Sequence, residues 1–367
     1  MATTVLVPGA GTGAGNSLIR SLRAGDQRYR VIGCHDDRFY LKKSTADANY
    51  LLPAPAHPGY LPSLCGAIRA GRVDVVIPNT DPAVRRISAV RRRLPCRVFL
   101  PTHAALTLCA DKYRLTTRLA ACGVPVPTTY ALRRRSDVAR VFARLGRRRV
   151  WCRIRTGGAS RGAVPVTSAA QAVAWIRYWE DMRGVPARAF TLSEYLPGRD
   201  FACQSLWQDG RLILIKTVER LSYFGGGSQP SGVSSIAALA KTVVEPRVVE
   251  ICTRAIRALG PTVSGAFSVD LKENARGIPC VTEINAGRFI TMMNLFDLTG
   301  RHNMAATYVR LALGEPVSID KPYDAVTDYY FVRDVDTTPA VMHADQLFAG
   351  IRDARRSSPG RLSHRRR

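Results

Sequence analysis

Two apolar runs, Ala266–Leu271 and Ile278–Ile284, flank the polar, glycine-ended stretch Glu273–Gly277 in "VDLKENARGIPCVTEIN". The alternation on either side of a short polar link predicts a β-hairpin with a longer loop. Side chains alternate across a strand, so Glu283 and Asn285 share one face and Asp270 can join them from the neighbouring strand. Two carboxylates and an amide on one sheet face suit Mg²⁺ (or Mn²⁺), a hard cation that takes few carboxylates and completes its shell with phosphate oxygens. The bland reading of the same residues is a wetted hairpin face.

The first hundred residues follow a different rhythm, with strand-like and helix-like segments in alternation. Val5–Val7, Val31–Cys34, Val73–Ile77 and Val98–Leu100 read as strands, and Asn16–Arg23, Tyr60–Ala70 and Pro82–Arg92 as helices. That order predicts a parallel, doubly wound sheet. Farther on, Asp111 reads as the N-cap of a helix that ends at Gly123, ahead of Pro125. Strands are expected at Val150–Ile154, Thr191–Tyr195, Phe201–Trp207 and Arg211–Val218, with Asp209-Gly210 as a tight turn between the last two. Helices are expected at Ala169–Met182, Arg247–Ala258 and His302–Leu313. The fold class is therefore α/β in the first part and α+β in the second.

Several glycine-rich segments accompany these elements. Gly9, Gly11, Gly13 and Gly15 follow the first strand, where glycine lets the backbone turn tightly and offer N–H groups to an anion. Alone they read as a dinucleotide fingerprint, with Asp36 or Asp37 as the ribose partner. Gly157, Gly158 and Gly162, in "TGGASRG", read either as an ordinary hairpin turn or as a loop whose backbone can approach a ligand closely, to which Arg161 adds charge. A third run, Gly225–Gly227, precedes Gly232-Val233-Ser234.

The chain from Pro101 to Pro316, about 60% of its length, resembles the ATP-grasp superfamily, and most of all the carbamoyl-phosphate-synthetase-like branch. The resemblance rests on carboxylate-x12-carboxylate-x-Asn at Asp270, Glu283 and Asn285, with the other parts in matching order. It implies a Rossmann-like N-terminal domain (1–100), a two-lobed ATP-grasp domain (101–318, smaller lobe 125–195) and a C-terminal strand/helix extension (319–351). A basic, turn-rich tail from 352 to 367 is expected to be disordered.

The same resemblance implies site roles. Lys112 in "DKYR" and Arg153 in "VWCRIRTGG" would reach the phosphates, with Arg155 the competing candidate and Ile154 in place of the family's proline. Gly157, Gly158 and Gly162 would close over the phosphates. In "SEYLPGRDF", Glu194 and Leu196 would line the adenine slot and Asp200 would accept from the ribose, which suits an acceptor-only group. Lys216, near Glu219 and Arg220 at a strand end, is set with the nucleotide residues. Arg288, one position later than the arginine of Glu-x-Asn-Pro-Arg, would clamp an acyl-phosphate. Ser234 stands where the branch has histidine. Two metal ions bridged by Glu283 are expected, with ATP as the cofactor.

The chemistry so implied is an ATP- and Mg-dependent carboxylate–amine ligase that is ADP-forming and C–N bond-forming. Two other readings stay open: an NAD(P)-dependent oxidoreductase using the N-terminal glycine loop, and a noncatalytic ATP-binding protein. Composition narrows the surroundings. The 367 residues are enough for two or three domains, no run of about 18 apolar residues exists, and "MATTVLVPGAG" enters a strand with no signal-peptide pattern. Nine scattered cysteines without a C-x-x-C pair point to reduced thiols and a cytoplasmic setting. The net charge of +26 comes from 54 basic residues, only seven of them lysine. Their runs (Arg91–Arg93, Arg133–Arg135, Arg147–Arg149) lack interleaved aromatics, so nonspecific polyanion binding is expected and a specific nucleic-acid partner is not. Small-molecule substrates are the expected partners, and a dimer is compatible with the sequence.

Overall fold

Every residue of Thr4–Pro8 is buried, which is the signature of a strand with neighbours on both sides and layers on both faces. It is β1 of a computed structural model that describes residues 2–158, 160–234, 236–332 and 349–354. The chain divides into two units. The first comprises residues 2–99, 305–316 and 349–354 among those described. Its strands β1, β2 (Arg30–His35), β3 (Ala48–Leu51), β4 (Val75–Val76) and β5 (Arg97–Val98) pair in the order β3-β2-β1-β4-β5, all parallel. This is the doubly wound sheet that the strand–helix alternation predicts.

Two features of this unit differ from the sequence reading. The segment Ile351–Asp353 adds a sixth parallel strand beside β3, so the expected tail begins with ordered structure at Arg352. Residues 355–367 lie outside the described residues. The helix Met304–Leu313, read from sequence as closing the second domain, groups from residue 305 onward with the first unit. The reason is packing: Tyr308 is fully buried, meets the Phe99 ring edge-on at 5.4 Å and donates its hydroxyl to the Phe99 carbonyl.

The second unit comprises residues 100–304 and 317–332 among those described. Its smaller sheet contains β6 (Thr129–Ala131), β7 (Val150–Ile154), β8 (Val164–Val166) and β9 (Phe190–Glu194), antiparallel in the order β6-β9-β7-β8. Helices Asp137–Leu145 and Ala169–Arg183 close its core through Val138, Val141 and Ile176 against Cys152, Phe190 and Leu192. The larger sheet contains β10 (Asp200–Gln208), β11 (Arg211–Tyr223), β12 (Ala237–Thr242), β13 (Gly265–Glu273), β14 (Pro279–Ala286) and β15 (Tyr330–Val332). Its order is β14-β13-β10-β11-β12-β15, antiparallel throughout.

Helix Pro246–Arg257 covers one face of the larger sheet with Val248, Ile251, Cys252, Ala255 and Ile256. Cys252 meets Cys203 there. Ala202 and Gln204, its neighbours in β10, therefore point to the opposite face, where the polar groups gather. Within the expected C-terminal extension (319–351), β15 is described and residues 333–348 lie outside the described residues.

Candidate functional site

The predicted hairpin forms as β13–β14, with Asp270 directly opposite Glu283. The register then slips by one residue, leaving Thr282 as a bulge before Leu271 pairs with Val281. Ser268 faces Asn285 one row away, so Asp270, Glu283 and Asn285 do share a face. Asn285 Nδ2 donates to Asp270 Oδ2 at 3.1 Å, and Arg288 Nη2 donates to Asn285 Oδ1 at 2.5 Å.

Among the described residues, Lys112, Arg153, Arg220 and Arg288 lie about the pair of carboxylates. Lys112, at the first helical position after its Asp111 N-cap, places Nζ 3.0 Å from Glu283 Oε2 and donates to the Gly157 carbonyl at 2.5 Å. Arg153 alternates with the core residues Cys152 and Ile154 along β7, so it leaves the smaller lobe and donates through Nη2 to the Thr282 carbonyl at 3.1 Å. Its Nε is buried without a hydrogen-bond partner among the described residues. Arg155, the competing arginine, forks onto Asp111 at 2.6 and 3.1 Å. Arg220 reaches Asp270 Oδ1 at 2.5 Å and Asp200 Oδ1 at 3.3 Å.

Charge sets the protonation of these groups. Burial pushes the Glu283 carboxyl upward, but Lys112, Arg153 and Arg288 outweigh it and hold it below the usual carboxylate range. Asp270 moves the other way: burial raises it, Arg220 opposes and the Glu283 charge adds to the rise. Burial also lowers the Arg153 guanidinium, against the pull of Glu283. Two half-buried carboxylates side by side, bearing oxygens on one face, are a donor set that a divalent cation fits. Among the described residues no three His, Cys, Asp or Glu side chains converge as a cage. The hairpin offers two acids and an amide, the sparser set that suits Mg²⁺.

The loop and hinge residues fall beside this centre. Gly157 (φ +92°) and Gly162 (φ +67°) adopt left-handed conformations, and a Cβ on Gly162 would lie 2.6 Å from Ile154. Gly158 lies between them, and the Trp175 indole donates to the Gly162 carbonyl at 3.0 Å. Glu194 ends β9 half-buried, 4.0 Å from Arg147, and Leu196 is buried. Asp200 accepts from the Tyr223 hydroxyl at 2.7 Å and lies 3.7 Å from Lys272. Ser234 donates to the Phe224 and Ile236 carbonyls, a role in shaping its loop.

Lys216 does not join the cationic group. It is 1% exposed and donates to the Phe296 and His302 carbonyls at 2.8 and 2.5 Å, with Asp324 at 3.0 Å and Asp297 at 3.8 Å. Its ammonium is engaged by these groups inside the fold, apart from Lys112 and Arg153. Burial works against the Asp324 carboxylate, but the His302 and Arg301 N–H groups and Lys216 hold it below the usual aspartate range. A folded value below the unfolded one stabilises fully above the unfolded value of about 3.9 and is lost as pH falls through the folded value. Urea titrations from pH 5 to pH 2 are therefore expected to show an acid loss of stability that Asp324→Asn lacks in part; identical profiles would contradict this pairing.

The residue that sequence reasoning undervalued is Arg220, which ties Asp200 to Asp270; Tyr223 and Lys272 were missed with it. In the first unit, the glycine loop is occupied by its own contacts. Thr12 caps Gly15, Gly11 donates to Asn16, and a Cβ on Gly11 would lie 1.8 Å from the Tyr40 carbonyl. Asp37 caps the helix Arg38–Lys42 and Asp36 pairs with His35, so both candidate ribose acceptors have local partners.

A doubly wound parallel unit followed by a large antiparallel sheet and a smaller antiparallel lobe is the ATP-grasp fold, and this chain has it. Solved structures with this fold include L-amino acid ligase from Bacillus licheniformis (TM-score 0.63, 14% identity, 85% of this chain and 74% of that one). They include biotin carboxylase from Campylobacter jejuni in complex with β-γ-ATP (0.69, 15%, 90% and 74%). Another is carboxyaminoimidazole ribonucleotide synthase from Aspergillus clavatus complexed with ATP (0.64, 16%, 89% and 80%). No protein-family model and no curated protein matches the sequence. Among the described residues no helix is long and apolar enough to cross a membrane.

Proposed function

We propose that the chain is an ATP- and Mg²⁺-dependent ligase that activates a carboxylate as an acyl-phosphate, releases ADP and joins the acyl group to an amine. The observation that carries this reading is the convergence on one sheet face of Asp270, Glu283 and Asn285 with Lys112, Arg153 and Arg288. Phosphoryl transfer asks a protein mainly for positioning and charge neutralisation, and this cluster is built of those two things. Asp270, Glu283 and Asn285 would hold Mg²⁺, which supplies charge neutralisation at the phosphates when bound.

The chain's own residues do the rest. Lys112 and Arg153 bind phosphate oxygens, exchanging the Gly157 and Thr282 carbonyls for the stronger anionic acceptor. The 157–162 loop shields the phosphates from water, Leu196 and the main chain at Glu194 line the adenine, and Asp200 accepts from the ribose. A carboxylate oxygen attacks the γ-phosphorus, the bond to the β,γ-bridging oxygen breaks and ADP leaves. Arg288 holds the acyl-phosphate while the amine attacks its carbon, losing a proton as phosphate departs. The test is ADP release from ATP and Mg²⁺ across a library of carboxylic acids with and without amines. Release is expected with a subset of acids and is expected to stop when EDTA removes the metal. Release that is indifferent to EDTA or to the acid would overturn the reading.

A further inference from the structure

One row below the Asp270–Glu283 pair, the larger sheet carries four polar side chains in register: Asn285, Ser268, Gln204 and Lys216. The two outer members have partners, Asn285 in Arg288 and Asp270, Lys216 in Asp324 and two carbonyls. The two inner ones do not have enough. Gln204 is 0% and Ser268 1% exposed, and Gln204 Nε2 and Ser268 Oγ have no hydrogen-bond partner among the described residues. Buried polar atoms left unmet are rare in native folds and call for an occupant.

The orientation of the Gln204 amide follows from its neighbour. The Ile290 N–H donates to Oε1 at 3.0 Å, and a backbone N–H can only donate, so Nε2 is the end left over. Gln204 Nε2, a donor, and Ser268 Oγ, a hydroxyl able to donate, therefore stand unmet on adjacent, directly paired residues of one sheet face. They adjoin the half-buried Asn285 and Arg288, and lie roughly 7 Å along the strands from the Asp270–Glu283 row by strand rise. An occupant that only accepts, and that reaches from there to the metal-binding row, is an oxyanion.

Resting on the ligase reading above, we propose that Gln204 Nε2 and Ser268 Oγ form a two-donor subsite for the substrate carboxylate. They hold one of its oxygens and leave the other to attack the γ-phosphorus. Arg288 contributes the positive charge beside it. The subsite is made by β10 and β13 together, so it selects for a carboxylate before any phosphate is transferred. A trapped water is the competing occupant, and it predicts no link between these side chains and acid affinity.

The experiment titrates the full chain, loaded with Mg²⁺ and a non-hydrolysable ATP analogue, with each of the common L-amino acids as carboxylate probes. It is run on wild type, on Gln204→Glu, which replaces a donor by a repelling acceptor, and on Ser268→Ala, which keeps the fold if the first variant does not. Affinity for the best acid is expected to fall about tenfold or more in Gln204→Glu and severalfold in Ser268→Ala, with nucleotide affinity unchanged and the methyl ester of that acid not bound. Acid affinities equal to wild type in both variants overturn the subsite while ADP release leaves the ligase reading standing. A chain that binds nucleotide but none of the acids also overturns it. Acid binding that responds to both variants without any ADP release supports the subsite and overturns the ligase reading.

Discussion

Glu283→Gln and Asp270→Asn are each expected to reduce the proposed ADP release by on the order of 10²–10³-fold, the scale of losing one preorganised electrostatic group from a transition state. Both substitutions keep shape and remove charge. Glu283 is the acid that Lys112, Arg153 and Arg288 hold below the usual carboxylate range, so its amide would lose both the proposed metal ligand and the counter-charge that holds Lys112 at 3.0 Å. Asp270→Asn leaves Arg220 its second partner, Asp200, so the sheet retains an ion pair at this position. Cooperative urea unfolding near the wild-type midpoint shows that the loss is chemical. Activity near wild type in either variant would sink the metal assignment.

Lys216→Met is the second large effect, and it falls on stability. Removing one partner of a buried ion pair costs about 3–5 kcal/mol because the remaining charge stays in the interior. Here Asp324 and Asp297 would face each other across an apolar side chain, with two carbonyls also left unmet. Gly300 packs against the ammonium so closely that a Cβ there would lie 2.3 Å from Lys216 Nζ. The urea midpoint is expected to fall sharply, and adding Asp324→Asn to Lys216→Met is expected to recover part of the loss. Nucleotide affinity of the folded fraction is expected to stay at the wild-type value; a specific loss of ATP binding with normal stability would favour the nucleotide role.

The hairpin was legible because period-two alternation and a glycine-ended link are local signals, and counting along the strand put Glu283 and Asn285 on one face. Arg220 shows where counting stops. From the Asp209-Gly210 turn, regular pairing would set Asp200 opposite Glu219. An extra residue at Ile213, where the register slips between Leu206 and Trp207, sets it opposite Arg220 instead. A bulge of one residue turns a face over, and nothing in "LWQDGRLILIK" announces it. The buried pairing of Lys216 was illegible for a different reason. Its partner Asp324 is far along the chain and comes close only in the folded unit. Short elements such as β3, β6, β8 and β12, and the helices His103–Ala110 and Met293–Thr299, carried too little periodicity to stand out, whereas Asp137–Leu145 repeats Val138, Val141 and Leu145 at helical spacing and was legible.

The helix whose Tyr308 packs on Phe99 has a consequence for how the protein is made. A ribosome delivers the chain from its N-terminus, and domains fold as their last segment emerges. The first unit lacks its 305–316 segment until nearly all of the second has been synthesised. Its five central strands can pair early, yet the surface that Tyr308 covers waits, exposed, through some two hundred residues of translation. A gene fragment cut after residue 99 would encode a sheet without that cover. A fragment meant to yield the first unit alone has to carry residues 305–316 back to it.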